Sequence, residues 1–177
     1  AFGDTFILHF AFCILHFSIA IVFNGDYNKQ KGKRGKLMHP DTQKAKQLLT
    51  GSAYTCVLCK DDRVLTSCLR GVAPLMGFWK QAEALTGFCA ADKVVGKATA
   101  LLYCLLEVRE VYAGVMSRPA LQVLQAHGIL TFYDQLVDAI QNRTGDDFCP
   151  MEKTTADLED PALAHANIKK ALQTLKI

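Results

Sequence analysis

A chain of 177 residues is long enough to bury one sizeable core and too short for two comfortable domains. Its formal charge of +3 is concentrated, because residues 1–37 hold five basic and two acidic side chains while the remainder holds fifteen of each. A neutral body argues against nucleic acid as a partner, and seven scattered cysteines suit reduced thiols and a cytoplasmic location better than a disulfide framework.

The first 37 residues differ from the rest. Phe6 to Phe23 is an apolar run of 18 residues interrupted by His9, His16 and Ser18, and the basic run KQKGKRGK follows it. Three readings stay open. The run reaches the lower limit for a membrane-spanning anchor with a basic cytoplasmic flank. As a signal or buried segment it lacks a preceding positive charge and a small-residue cleavage site. Lys, Arg and Gly codons are purine-rich, as a ribosome-binding site is, so translation of DNA upstream of a start at Met38 would also give this pattern. Each reading makes residues 38–177 a single domain, with membrane contact only if the anchor is genuine.

The body reads as alternating α and β. Asp41 can cap a helix over Thr42 to Leu49, ended by Gly51. Tyr54 to Cys59 and Val64 to Cys68 form a hairpin around Lys60 to Asp62. Cys56 and Cys59 have C-x-x-C spacing, but residues three apart in a strand point to opposite faces and no second pair follows, so no metal is expected there. A helix through Met76, Trp79 and Leu85 follows. Gly87 to Glu107 reads as one long buried helix, with Asp92 favouring its first amides and Lys93 and Lys97 on one side of it. Val111 to Met116 is a central parallel strand. Ser117 caps the next helix, with Arg118, Pro119 and Ala120 in its first turn and Gly128 as its stop. Ile129 to Tyr133 is a strand, Asp134 to Gln141 a helix, and Asp160 begins a last helix to Leu175 with Leu163, Ile168, Ala171 and Leu172 as its apolar stripe.

In an open parallel sheet ligands bind beyond the carboxyl ends of the strands, where helices begin. The two expected mouths, Ala90 to Lys93 and Ser117 to Ala120, offer backbone amides, and Lys93, Lys97, Ser117 and Arg118 add donors suited to a phosphate or carboxylate. Asn142 to Lys153 reads either as a hydrophilic connector or as a lid carrying Arg143, Asp146 and Cys149. Cys149 as a nucleophile lacks a nearby His in sequence.

The stretches YTCVLCKDDRVLTS, ADKVVGKATALLY, VYAGVMSRPALQVL and NRTGDDFCPMEK closely resemble the uncharacterised bacterial and archaeal family known as domain of unknown function 1893, from about Asp41 to Leu175. That family is placed in the cytidine-deaminase-like superfamily, so the resemblance implies a three-layer α/β/α sandwich with a mixed sheet and a leading β hairpin. Active members of the superfamily carry H-A-E or C-A-E at the start of the second helix and P-C-x-x-C at the start of the third, which hold zinc and a proton-shuttling glutamate. Here these motifs align with Ala90-Ala91-Asp92 and Pro119-Ala120-Leu121-Gln122-Val123. Ala90, Ala120 and Val123 cannot bind zinc, so the resemblance implies a zinc-free protein with no cofactor and no ordinary hydrolytic deamination. Asp92 stands in the glutamate's place.

Two classes of function follow. In the first, a metal-independent enzyme or binding protein takes a small anionic molecule such as a nucleotide, with Lys93, Lys97, Ser117, Arg118 and Arg143 holding it and Asp92, Asp146 or Cys149 doing the chemistry. In the second, the chain is a non-catalytic sensor or interaction module. Self-association into a homo-oligomer is compatible with both.

Overall fold

The computed structural model describes residues 37–80, 85–142 and 144–175. The expected anchor, signal or vestigial segment lies almost wholly outside them. Helix α1 (Pro40–Thr50) starts where proline dictates, since its ring presets a helical φ and drives the preceding residue extended. His39 is therefore the N-cap, and its Nδ1 accepts the Asp41 N–H at 3.2 Å. Asp41, expected to cap, lies in the first turn instead. Strands β1 (Cys56–Lys60) and β2 (Arg63–Ser67) form the expected hairpin, with Asp61 in the left-handed region at φ 53°. Helix α2 (Ala73–Lys80) follows.

The segment Gly87 to Glu107 is not one helix. Gly87 turns the chain at φ +79°, Cys89–Val95 forms β3, and extended Gly96 caps α3 (Lys97–Leu105). The expectation failed for a physical reason. Strand β3 lies between β1 and β4 (Glu110–Ser117), and Cys89, Ala90, Ala91 and Asp92 are all buried, so the period-two alternation of a half-exposed strand is missing. Its two alanines and one lysine then read as helix by propensity, and pairing with two neighbouring strands overrides it.

Ser117 caps α4 (Arg118–Ala126) as expected, its Oγ accepting the Ala120 N–H at 3.2 Å. Strand β5 (Leu130–Val137) runs through the start of the segment expected to be a helix from Asp134, pairing with β4 as far as Ser117↔Val137. As an edge strand it meets water, which explains the exposed Asp134 and Gln135. Short α5 (Pro150–Thr155) and α6 (Pro161–Leu175) complete the described fold. Asp160 Oδ1 accepts the Leu163 N–H at 2.8 Å. Ala164 and Ile168 carry the buried stripe of α6, whereas Leu163, expected within it, is 51 % exposed.

The sheet order is β2-β1-β3-β4-β5, with β1 antiparallel to both neighbours and β3, β4 and β5 parallel. Helix α1 covers one face. On the other, α3 packs against α4, α5 and α6, which makes a mixed α/β sandwich with a larger core around Leu101, Tyr103, Phe88 and Met116 and a smaller one around Val57, Cys59, Ala91 and Tyr112. Cys56 and Cys59 fall in different cores, as their spacing requires.

Residues 38–177 expressed alone are expected to unfold in one cooperative transition, because both faces of the sheet are covered within that span. In that fragment Leu101→Ala, at a fully buried position, should lower the unfolding free energy by roughly 2–5 kcal/mol in urea denaturation. A fragment without a transition would show that the preceding residues belong to the core.

Candidate functional site

The strand order reverses at the junction of β1 and β3: the hairpin continues outward to β2, while β4 and β5 add on the far side of β3. Cys56 and Asp92 are directly opposed across that junction. Cross-strand partners share a face, here the one covered by α3. Tyr103 of α3 donates its hydroxyl hydrogen bond to Asp92 Oδ2 at 3.1 Å, and Cys56 Sγ lies 3.5 Å from the same hydroxyl. Asp92 Oδ1 accepts the Val94 N–H at 3.1 Å. Burial outweighs these hydrogen bonds and pushes the Asp92 carboxyl up to about 7. Burial and the neighbouring Asp92 also push Tyr103 and Cys56 up. Near neutral pH, Asp92 is thus a buried group exchanging one proton, with a tyrosine to orient it.

A second cluster sits at the start of α3. The Lys97 N–H donates to Glu152 Oε1 at 2.6 Å, and Lys97 Nζ donates to Ala156 O at 2.7 Å and to Glu159 Oε1 at 2.9 Å. A Cβ at Gly96 would stand 1.9 Å from Glu152 Oε1, so the glycine admits the carboxylate to the helix start. Burial pushes Glu152 up, and the Lys97 amide and charge hold it down. Most of the Lys97 side chain is buried, 9 % of it remaining exposed against 78 % for Glu159.

The other expected site residues are dispersed. Lys93 is exposed on β3, not on a helix beside Lys97. Ser117 Oγ is spent on its cap, and exposed Arg118 pairs with Asp138 at 2.8 Å. Asp146 is exposed and bonded to Asn142 and Thr144, whose donors hold its carboxyl below the usual range. Cys149 is the N-cap residue of α5, with its N–H on Ile140 O at 2.9 Å. Arg143 lies outside the described residues. The aligned motifs also shift: Ala90-Ala91-Asp92 is in β3, and Pro119 to Val123 begins the fourth helix, whereas the second and third begin at Ala73 and Lys97. Tyr103 and Glu152 were missed. Reading β3 as a strand opposite YTCVLC would have brought Cys56 to Asp92.

Asp92 should leave a mark on stability. An unfolded aspartate titrates near pH 4 and folded Asp92 near 7, so between those values the folded chain binds the extra proton. Stability from this group is full at the acid end of the window and falls as pH rises through it, by on the order of a few kcal/mol. Asp92→Asn cannot titrate, so its unfolding free energy relative to the parent should rise between pH 5 and pH 8 in urea titrations. Parallel pH profiles would overturn the assignment.

A family model described as a domain of unknown function (DUF1893) matches residues 44–172. The crystal structure of a DUF1893 family protein from Thermotoga maritima is similar to the chain with a TM-score of 0.69 at 23 % identity, covering 76 % of this chain and 92 % of that one. A dCMP deaminase from the cyanophage S-TIM5 gives a TM-score of 0.39 at 14 % identity over 56 % of this chain and 100 % of that one. No curated protein matches. With the family model spanning most of the sequence and the Thermotoga maritima structure sharing its fold, the chain belongs to the DUF1893 family.

Proposed function

We propose that the chain binds a small anionic molecule, a nucleotide or a relative of one, at the carboxyl ends of β3 and β4, in a fold of the cytidine-deaminase-like kind and with no zinc at that site. The observation that carries this reading is the Glu152 carboxylate on the Lys97 amide, with Gly96 leaving it room. An anion-sized group already fits the start of α3, where the helix dipole and free amides favour negative charge. Asp92 in the preceding strand supplies a group that can take or give a proton near neutral pH, suited to metal-independent acid–base chemistry. Zinc has no ligands at the places the resemblance requires. Around the second and third helix starts, Arg70-Gly71-Val72-Ala73-Pro74 and Gly96-Lys97-Ala98-Thr99-Ala100 contain no Cys, His, Asp or Glu.

A second reading has its own support. The helix starts are already partnered within the chain, by Glu152 and Glu159 on Lys97, by the Ser117 cap and by Asp138 on Arg118. A fold closed in this way serves equally as a non-catalytic sensor or interaction module.

The two readings separate by competition. A ligand that takes the α3 start must displace Glu152, so Glu152→Gln should bind its best phosphate-containing compound several-fold more tightly than the parent in calorimetry. Lys97→Met should weaken the same binding by roughly tenfold, the worth of a charge-assisted contact. If a nucleotide and sugar-phosphate library finds nothing in the parent or in Glu152→Gln, the ligand reading fails and the module reading stands.

A further inference from the structure

At the opposite, amino-terminal end of β3 a different set of side chains converges. His39 caps α1, Asp41 occupies its first turn, and Cys89 opens β3. Cys89 Sγ lies 3.5 Å from His39 Nδ1, and Asp41 Oδ2 lies 3.6 Å from the same nitrogen. All three donor atoms fall within 4.8 Å of one another. Bonds of about 2.0–2.3 Å to a tetrahedral zinc put neighbouring donors about 3.3–3.8 Å apart. Both measured separations lie in that range.

We propose that His39, Asp41 and Cys89 bind one divalent ion of the zinc class, which clips the start of α1 to the start of β3. The donor set selects the metal: a thiolate and an imidazole beside one carboxylate suit zinc, whereas calcium and magnesium want oxygen throughout. The surroundings are built for it. Buried Glu110 accepts the His39 backbone N–H at 2.9 Å, which fixes the residue carrying the imidazole. The fully buried Thr42 hydroxyl, one residue after Asp41, makes no hydrogen bond among the described residues. Nδ1 now accepts the Asp41 N–H and would turn that lone pair to the ion. Cys59, directly across from Cys89 on β1, is a buried thiol on the same face. The site is separate from the Asp92 and Lys97 clusters.

Cobalt(II) is the probe. The purified full chain, stripped with a chelator and kept reduced by a non-thiol reductant so that Cys59 and Cys89 stay free, is titrated with Co2+ and then with competing Zn2+. The expected result is about one ion per chain with a saturable thiolate-to-cobalt charge-transfer absorption that Zn2+ displaces. Cys89→Ser should abolish the band. His39→Asn keeps an N-capping side chain, and it and Asp41→Asn should each weaken binding roughly tenfold or more, since even outer partners of a metal site cost that much. Cys68→Ser, at an exposed thiol, should change nothing. No saturable band, a band that survives Cys89→Ser, or affinities unchanged in both His39→Asn and Asp41→Asn would overturn the proposal, provided the variants retain the parent's circular dichroism.

Discussion

Covering β3 on both faces, with α1 on one side and α3 on the other, forces each residue of the strand into one of two enclosed environments, and the chemistry of the molecule follows from which one it enters. Cys89 and Ala91 face α1, while Ala90 and Asp92 face α3. The small alanines let helices approach both surfaces closely. The same enclosure prevents water from reaching Asp92, so its charge must be met by protein groups or neutralised by a proton. Tyr103 and the Val94 amide supply only part of what water would give, and the carboxyl keeps its proton to an unusually high pH.

The start of α3 shows a different solution to the same problem. A helix that begins at a buried glycine leaves amides that need acceptors, and Ser or Asp is the ordinary answer. Gly96 has no side chain to give, so Glu152 reaches in from α5, while Lys97 ties the end of α5 to Glu159. Each group accounts for another's placement. The glycine admits the carboxylate, the carboxylate satisfies the helix, and the lysine holds the turn between α5 and α6 against it. Releasing Glu152 would leave the first amide of α3 without its acceptor.

How much of this was legible depended on whether the signal was local. The hairpin, the Ser117 cap and the last helix carry their own turn, capping and proline chemistry within a few residues, and each stands where that chemistry puts it. Strand β3 carries no such signal, because its identity depends on β1 and β4 beside it. That one error moved Asp92 to a helix start and put Lys93 beside Lys97. The run Asp134 to Val137 failed for the complementary reason: exposed polar residues on an edge strand look like the face of a surface helix. Lys97 stands out in the sequence as a charge in an apolar helix, but its partners are 55 or more positions away and no periodicity reveals them.

The family assignment and the residues answer different questions. Membership in DUF1893 and the likeness to its Thermotoga maritima representative account for the order of the elements. Function has to be argued from sites on that scaffold. Here the parallel strands carry chemistry at both ends: toward the carboxyl end of β3, a protonatable aspartate beneath a helix start that accepts a carboxylate, and at its amino end, a histidine, an aspartate and a cysteine at metal-ligand separations. The seven residues of β3 span roughly 20 Å at about 3.3 Å each. A ligand at one end and an ion at the other would therefore never touch, yet both act on a single strand with packed helices against both faces. An ion holding the start of α1 to Cys89 would bear on the same strand that carries Asp92 three residues on.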